Sequence, residues 1–348
     1  MKTRARSETS RGEPIPSGAT VLEVAAVAGV SPSTVSRILN GTARVSEEKR
    51  QAVERAIEEL NFKPNLLAQS LKRGNSMTVG VLTQAVDSPF FNESLKGIED
   101  GLAGTGYAPL IVSGHWNAKE EAERVGLLMA RRVDGIIILT GHMTDEDIIL
   151  FSHHVPIVAT GHVFEAAERA SAIRLNNEMG GYMATHHLLE LGHRTIAHIA
   201  GIADHPDAVE RLAGYRRALD EAGIPFDPDL VVQGDFRESG GVVGIAQLLE
   251  RSRLFTAIFA ANDQTAYGAR LALYRKGIRV PEDVSLIGFD DLPASVYTTP
   301  PLTTVRQPVY EIGRMAARVL LDLIAGRPGS LQLPQLELVI RETTMRLR

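Results

Sequence analysis

The side chains able to do chemistry fall into a compact stripe of hydrogen-bond donors near the N-terminus and a scatter of carboxylates, guanidinium groups and histidines beyond it. Ser33, Ser36, Arg37 and Asn40 share one face at helical spacing, and each can donate hydrogen bonds. Such a face is built to touch something polar, although by pattern alone a generic three-helix bundle with a solvated polar face fits too. Elsewhere no catalytic constellation assembles: HExxH, GxSxG and Walker A sequences are all missing, and the glycines of ESGGVVGIA do not fit G-x-G-x-x-G. His153, His154, His186, His187, His193 and His198 are abundant without metal-ligand spacing, and His186 with Glu190 reads as a surface contact. With no cysteine in the chain, disulfides, zinc–thiolate sites, iron–sulfur clusters and cysteine nucleophiles are excluded. The expectation is a protein that is not an enzyme and uses no metal or cofactor.

The donor stripe needs helices to carry it. Val21, Val24, Ala25 and Ala28 form the apolar stripe of a first helix, stopped by Gly29. Ser31 as N-cap and Pro32 at the first helical position begin a second helix after a tight turn, with Val35, Ile38 and Leu39 facing inward. A third helix, capped by Ser46, turns Val53, Ile57 and Leu60 inward and closes a small core. Residues 1–19 lack apolar periodicity and read as a disordered tail, whose Lys2, Arg4, Arg6 and Arg11 fit either loose phosphate attraction or plain solvation.

From Met77 onward short apolar runs alternate with helical stretches: MTVGVLT at 77, PLIVS at 109, GIIIL at 135, VPIVA at 155, TIAHIAG at 195, FTAIFAA at 255 and VSLIGF at 284. That alternation predicts repeated βαβ units with parallel sheets. About 270 residues of such units predict two doubly wound lobes, with ligand at a strand-order switch or in the crevice between them.

Composition sets the outer limits. The 348 residues, 44% hydrophobic and 23% charged, suffice for two or three compact units. The net charge of −5 hides an asymmetry: residues 1–73 hold 12 Lys and Arg against 8 Asp and Glu, or +4, leaving 25 against 34, or −9, in the rest. A basic head precedes an acidic body. No apolar run approaches the roughly 20 residues of a membrane helix, and no apolar segment follows the basic N-terminus, so a cytoplasmic protein without membrane contact is expected.

The run TVLEVAAVAGVSPSTVSRILNGTARVSEEKRQAVERAIEELNFKPNLLAQSLKRG, from Thr20 to Gly74, resembles the DNA-binding head and hinge of the LacI/GalR family of bacterial transcription regulators. The resemblance implies that the second helix lies in the major groove, with Pro32, Ser33 and Arg37 facing base edges and Thr20, Ser31, Thr34, Ser36, Asn40, Arg44 and Ser46 contacting mainly phosphates. Arg37 is the residue best able to specify sequence, because its forked donors can meet O6 and N7 of a guanine together. Pro32 offers only shape or apolar contact. In the hinge, residues 66–72 are helix-forming in composition but would make only about two turns, too few for an isolated helix by the usual requirement of about 12–15 residues. A linker helix docked on the body is one reading. The family implies another, in which paired hinge helices enter the minor groove, Leu71 wedges into the central base step, and Asn65, Ala68 and Gln69 take the accompanying positions.

The body resembles the same family through DSPFF at 87, ELGHRTIAHIAG at 190, ERLAGYRRAL at 210, FAANDQTAYGA at 259, SLIGFDD at 285, PLTTVRQP at 301 and LVIRETT at 338. The implied fold class is an N-terminal all-α helix-turn-helix head plus hinge helix, followed by a two-lobed, periplasmic-binding-protein-like α/β body with parallel sheets. The implied division is a tail over 1–19, a head over 20–63, a hinge and linker over 64–76 and a body over 77–348. Within the body, lobe 1 takes 77–175 and 306–332, and lobe 2 takes 176–305 and 333–348.

For the effector, the resemblance implies that Phe90, Phe91 and Phe236 stack on apolar ligand faces while Arg211, Asn262, Asp290 and Gln307 grip polar groups. Flat apolar plates beside fixed donors and acceptors suit a sugar. By residue type alone the phenylalanines also fit a core, and Asp290 a helix cap. Sugar-binding members usually carry Asp-Arg after the strand at VPIVA, where this chain has Gly161-His162, so His162 is expected to replace one polar contact or the ligand to carry fewer hydroxyls. The function implied is a repressor that binds a pseudo-palindromic operator in double-stranded DNA and answers to a small, sugar-like effector. The alternatives are an activator, or a non-carbohydrate effector, on the same fold. A transport solute-binding protein would need an export signal and no head. The sequence closes on ETTMRLR without leucine heptads, so a homodimer is expected rather than a tetramer.

Overall fold

The computed structural model describes residues 19–39, 45–62, 75–164, 168–251, 254–328 and 335–347. The chain divides into two compact units, Met1–Ser76 and Met77–Arg348.

In the first unit α1 spans Val21–Val27, α2 Pro32–Leu39 and α3 Glu47–Glu59. A reciprocal cap starts α1: the Glu23 N–H donates to Thr20 Oγ1 at 3.3 Å and the Thr20 N–H donates to Glu23 Oε2 at 2.6 Å. Gly29, at φ +65°, supplies the left-handed residue the turn requires. The axis then swings by 106° into α2, within the range of a helix-turn-helix. Ser31 Oγ accepts from the Thr34 N–H at 3.2 Å, which closes the start of α2. Ser46 departs from expectation: its backbone has N-cap geometry, but its hydroxyl makes no cap hydrogen bond to α3. Val24, Ala25, Val35, Val53, Ala56 and Phe62 are buried together, with Ile38, Leu39, Ile57 and Leu60 packed around them. Phe62, just beyond α3, is buried in this core and adds a large apolar side chain to a small domain.

The second unit holds two sheets. The first comprises β1 (Thr78–Thr83), β2 (Ala108–Ser113), β3 (Gly135–Ile138), β4 (Ile157–Thr160) and β5 (Ala170–Ile173), in the order β2-β1-β3-β4-β5 and all parallel. The second comprises β6 (Ile196–Ile199), β7 (Val231–Val232), β8 (Ala257–Ala260), β9 (Ser285–Asp290), β10 (Thr303–Arg306) and β11 (Glu337–Val339), in the order β11-β10-β9-β8-β6-β7. Its edge strand β11 runs antiparallel to β10, on a sheet whose other pairs are all parallel. The connection from β10 to β11 leaves the second sheet altogether, which frees the returning strand to enter in either direction.

Helices α4 (Pro89–Leu102), α5 (Ala118–Ala130) and α6 (Asp145–Ser152) accompany the first sheet, and α7 (Asn177–Glu190), α8 (Pro206–Glu221), α9 (Glu238–Glu250) and α10 (Asp263–Arg275) the second. The last helix, α11 (Val309–Ile324), follows a strand of the second sheet yet packs into the first lobe's core. Gly97 of α4 and Gly313 of α11 make this possible: a Cβ on Gly97 would fall onto the Tyr310 carbonyl, and one on Gly313 onto the Ser94 carbonyl. With the backbones that close, Ile312, Ala316, Ala317, Val319 and Leu320 are buried with Val79, Val81 and Ile137. Since α11 belongs to one lobe and its flanking strands to the other, the chain passes between lobes on either side of it, around the space where the strand ends meet. Among the described residues, no single helix is long and apolar enough to cross a membrane.

Candidate functional site

Parallel strands with their helices behind them deliver helix N-termini to one end of each sheet, and the two ends face a common cleft. A cavity of about 280 Å³ lies there, its wall drawn from both lobes. Four helices begin at it: α4 with Ser88, Pro89 and Phe90, α8 with His205 and Asp207, α9 with Arg237 and Glu238, and α10 with Asn262 and Gln264. Their N-terminal partial positive charge is answered within the chain: Asp207, Glu238 and Asp263 sit in the first turns of α8, α9 and α10, and His205, Asp235 and Asn262 accept from first-turn N–H groups.

Arg211 and Asp290 form the polar floor. Arg211 is 3% exposed; its Nε donates to Asn177 Oδ1 at 2.9 Å and its Nη1 to the Ala261 carbonyl at 2.6 Å, while the guanidinium lies 3.8 Å from the centre of the Phe289 ring. A buried cation needs that full set of acceptors plus a counter-charge, and Asp290 Oδ1 is 4.0 Å away. Gln307 Nε2 donates to the same Asp290 oxygen at 2.6 Å. Burial pushes the Asp290 carboxyl up, against the pull of Arg211. Asp290 ends β9 at φ +116°, a conformation L side chains rarely adopt, and Gln307 N–H holds its carbonyl at 3.2 Å.

The aromatic plates come from both lobes. Phe90 and Phe91 meet edge to face at 5.3 Å; Phe91 is buried in the first lobe's core while it lines the cavity, and Phe90 is half-buried. Phe236, at φ +62°, is held by Asn262, whose Nδ2 donates to the Phe236 carbonyl at 2.9 Å while its Oδ1 caps α10 through the Thr265 N–H at 2.9 Å. Asn262 thus positions the plate as well as lining the cleft.

Phe90, Phe91, Arg211, Phe236, Asn262 and Asp290 therefore line one cavity. Gln307 lines a smaller neighbouring one that shares Phe90, Phe91, Thr140 and Asp207 with it. His162 lines neither: its Nδ1 is 2.8 Å from Asp145 Oδ1, so the imidazole closes the chain onto the first turn of α6 within its own lobe. Sequence reasoning missed Trp116, His205, Asp207 and Glu238, all at the cavity. Trp116 and His205 follow the ends of β2 and β6, where this fold class places its ligand sites, and that position is the signal that marks them. They join across the cleft: the Trp116 ring meets His205 edge-on at 5.1 Å, and His142 meets His205 at 5.4 Å. Glu121, fully buried, fixes His142 by accepting its N–H at 3.0 Å.

In the head, Pro32, Ser33 and Arg37 are exposed on α2, with Thr34 and Ser36 half-buried and Thr20, Ser31 and Ser46 exposed at helix starts. Ser31 Oγ is engaged locally, 2.8 Å from Ser33 Oγ and 2.9 Å from Thr34 Oγ1, so these hydroxyls form one pre-ordered cluster at the N-terminus of α2. Asn40 and Arg44, and the hinge positions Asn65, Ala68, Gln69 and Leu71, lie outside the described residues.

A helix-turn-helix with a donor-rich second helix, on a chain whose body closes two α/β lobes over a polar and aromatic cleft, defines a ligand-responsive, DNA-binding regulator of transcription. Residues 20–65 match the family model of bacterial regulatory proteins of the lacI family, and residues 185–344 that of a periplasmic binding protein-like domain. The HTH-type transcriptional repressor PurR of Vibrio atlanticus (strain LGP32) is 37% identical over 308 residues, 88% of this chain and 92% of that protein. Among solved structures, the transcriptional regulator CelR in complex with cellobiose is 37% identical, with 93% of this chain and 99% of that one covered and a TM-score of 0.69. The lac repressor dimer bound to operator and the anti-inducer ONPF is 32% identical, covering 94% of this chain and 100% of that one, with a TM-score of 0.84. The chain belongs to the LacI family of bacterial regulatory proteins. Its relatives are DNA-binding regulators rather than enzymes.

Proposed function

We propose that the protein is a cytoplasmic, homodimeric repressor that binds a pseudo-palindromic operator and is switched by a small saccharide in the cleft between its lobes. The observation that carries this reading is the cleft itself: aromatic plates from both lobes face a buried Arg211–Asp290 pair, in a chain that also bears an exposed donor face on α2. Plates of this kind take the C–H faces of a pyranose or furanose ring, and the fixed polar groups take its hydroxyls. The cellobiose in the CelR structure supports the same ligand class.

Two heads take two half-sites about one helical turn apart, each laying α2 in the major groove with Arg37 toward a guanine. The hinge segments pair in the minor groove, with Leu71 as the wedge and Asn65, Ala68 and Gln69 beside it. Because each lobe contributes to the cavity wall, a ligand that fits one lobe arrangement better than the other shifts their balance, and a coupling of about 1–3 kcal/mol gives roughly 5- to 150-fold control of operator affinity.

The test is selection of bound duplexes from a random pool by the full-length protein, followed by titration of the selected site with and without saccharides. Recovery of a two-fold-symmetric site whose affinity moves with a sugar supports the reading. An asymmetric site, or an affinity that no cleft ligand moves, refutes it.

A further inference from the structure

His205 has a fixed protonation pattern and an unmet donor. It occupies the N-cap of α8, where its Nδ1 accepts the Asp207 N–H at 3.2 Å, so Nδ1 carries the lone pair and Nε2 carries the proton of the neutral ring. The ring is 1% exposed, and Nε2 is buried with no hydrogen-bond partner although the residue lines the cavity. It is not free to turn toward another acceptor: Trp116 at 5.1 Å, His142 at 5.4 Å and Phe236 at 5.6 Å meet it edge to face. A buried donor without an acceptor is costly, and a ligand atom arriving there recovers that cost.

The rest of the wall has the opposite polarity. Asp87, Asp207, Asp235 and Glu238 line the cavity against two guanidinium groups, and one of those, Arg211, is already committed to Asn177, Ala261 and Asp290. Carboxylates accept and do not donate, so a ligand must bring donors to them and an acceptor to His205. Hydroxyl groups supply both. A phosphate ester brings charge into a wall already rich in negative charge, and the like charges repel it.

Resting on the saccharide reading above, we propose that His205 is a specificity-determining residue of the cleft, giving its Nε2–H to one oxygen of an uncharged, unphosphorylated polyhydroxy ligand. The carboxylates then exclude the phosphorylated form of the same sugar. The site reports the metabolite before phosphorylation, not after it.

Trp116, the chain's single tryptophan, touches His205 and so gives the readout in the full-length protein. Its fluorescence is titrated with ribose, glucose and cellobiose, then with ribose 5-phosphate and glucose 6-phosphate. At least one uncharged sugar binds, and its phosphate ester binds ten-fold or more weakly. Deoxy analogues of the bound sugar then locate the oxygen that His205 serves, through a loss of at least ten-fold in the wild type. In His205→Phe, which keeps a ring among its neighbours and removes the donor, that same deletion makes no difference, and His205→Gln restores part of it. The urea midpoint of each variant shows whether the body is intact, and the deoxy comparison within one variant is independent of it. A phosphate ester binding as tightly as its parent sugar, no uncharged sugar binding, or equal deoxy penalties in wild type and His205→Phe overturns the inference. If a phosphate ester binds and also moves operator affinity, the regulator reading stands and only this inference falls.

Discussion

Replacing His198 by phenylalanine should flatten the dependence of the body's stability on pH. His198 lies in β6, fully buried between Tyr215 at 5.3 Å and Phe259 at 4.7 Å, with Nδ1 donating to the Phe259 carbonyl at 2.9 Å and Nε2 left without a partner. Burial pushes its pKa from 6.5 down to about 4, the Phe259 hydrogen bond opposing and the nearby Arg211 and Arg216 reinforcing the shift. The unfolded chain takes up a proton as pH falls below 6.5, while the folded chain does not until about 4. The stabilisation is therefore complete above 6.5 and is lost progressively toward 4, for a total of roughly 3 kcal/mol at about 1.36 kcal/mol per pH unit. Between pH 7.5 and 5.5 the loss from this one group is about 1.4 kcal/mol. Phenylalanine keeps the stacked plate, costs about 1–2 kcal/mol at every pH by leaving the Phe259 carbonyl without its donor, and cannot titrate. Urea unfolding of the full-length protein, followed by Trp116 fluorescence at both pH values, gives the wild-type minus variant difference. Histidines common to both proteins cancel. The difference should shrink by about 1.4 kcal/mol at pH 5.5, and an unchanged difference would refute the reasoning.

Arg37→Ala should relax base preference at one operator position by about 1–3 kcal/mol, measured by affinities across a substituted site series, and a uniform loss on all sequences would remove its base-reading role. Leu71→Ala should reduce operator bending in a circular-permutation gel assay, and unchanged bending would remove the wedge. Arg211→Leu should destabilise the body by about 3–5 kcal/mol, because it strands Asp290 without its cation. Adding Asp290→Leu should recover part of that loss, and strictly additive losses in urea unfolding would show that the pair is not coupled.

How much of this the residues reveal before folding depends on how local the cause is. The three head helices are written in their own spacing, and the capping of α1 by Thr20 and Glu23 is a matter of four consecutive residues. Strands β1, β3 and β9 are legible as apolar runs with both faces covered. By contrast β5, β7, β10 and β11 have two to four residues each and become strands only because a neighbouring strand offers its ladder. No window of sequence contains that information.

The cleft divides in the same way. Arg211, Asn262 and Asp290 stand in motifs that mark them individually, whereas Trp116 and His205 become site residues because two lobes bring the ends of β2 and β6 together. Trp116 and Phe236 both adopt positive φ, which residue type does not foretell. His162 shows the converse. A polar residue following a strand reads as a ligand contact, but Asp145 in the first turn of α6 captures its ring.

The decisive measurement is operator affinity in the presence and absence of a saccharide that changes Trp116 fluorescence, made on the wild type and on Asp290→Asn. In the wild type the sugar should move the operator Kd by 5-fold or more, in keeping with a coupling above about 1 kcal/mol. In Asp290→Asn the sugar-free Kd should match the wild type, and the sugar should no longer move it. A wild-type operator Kd that stays fixed while the cleft fills would contradict the account.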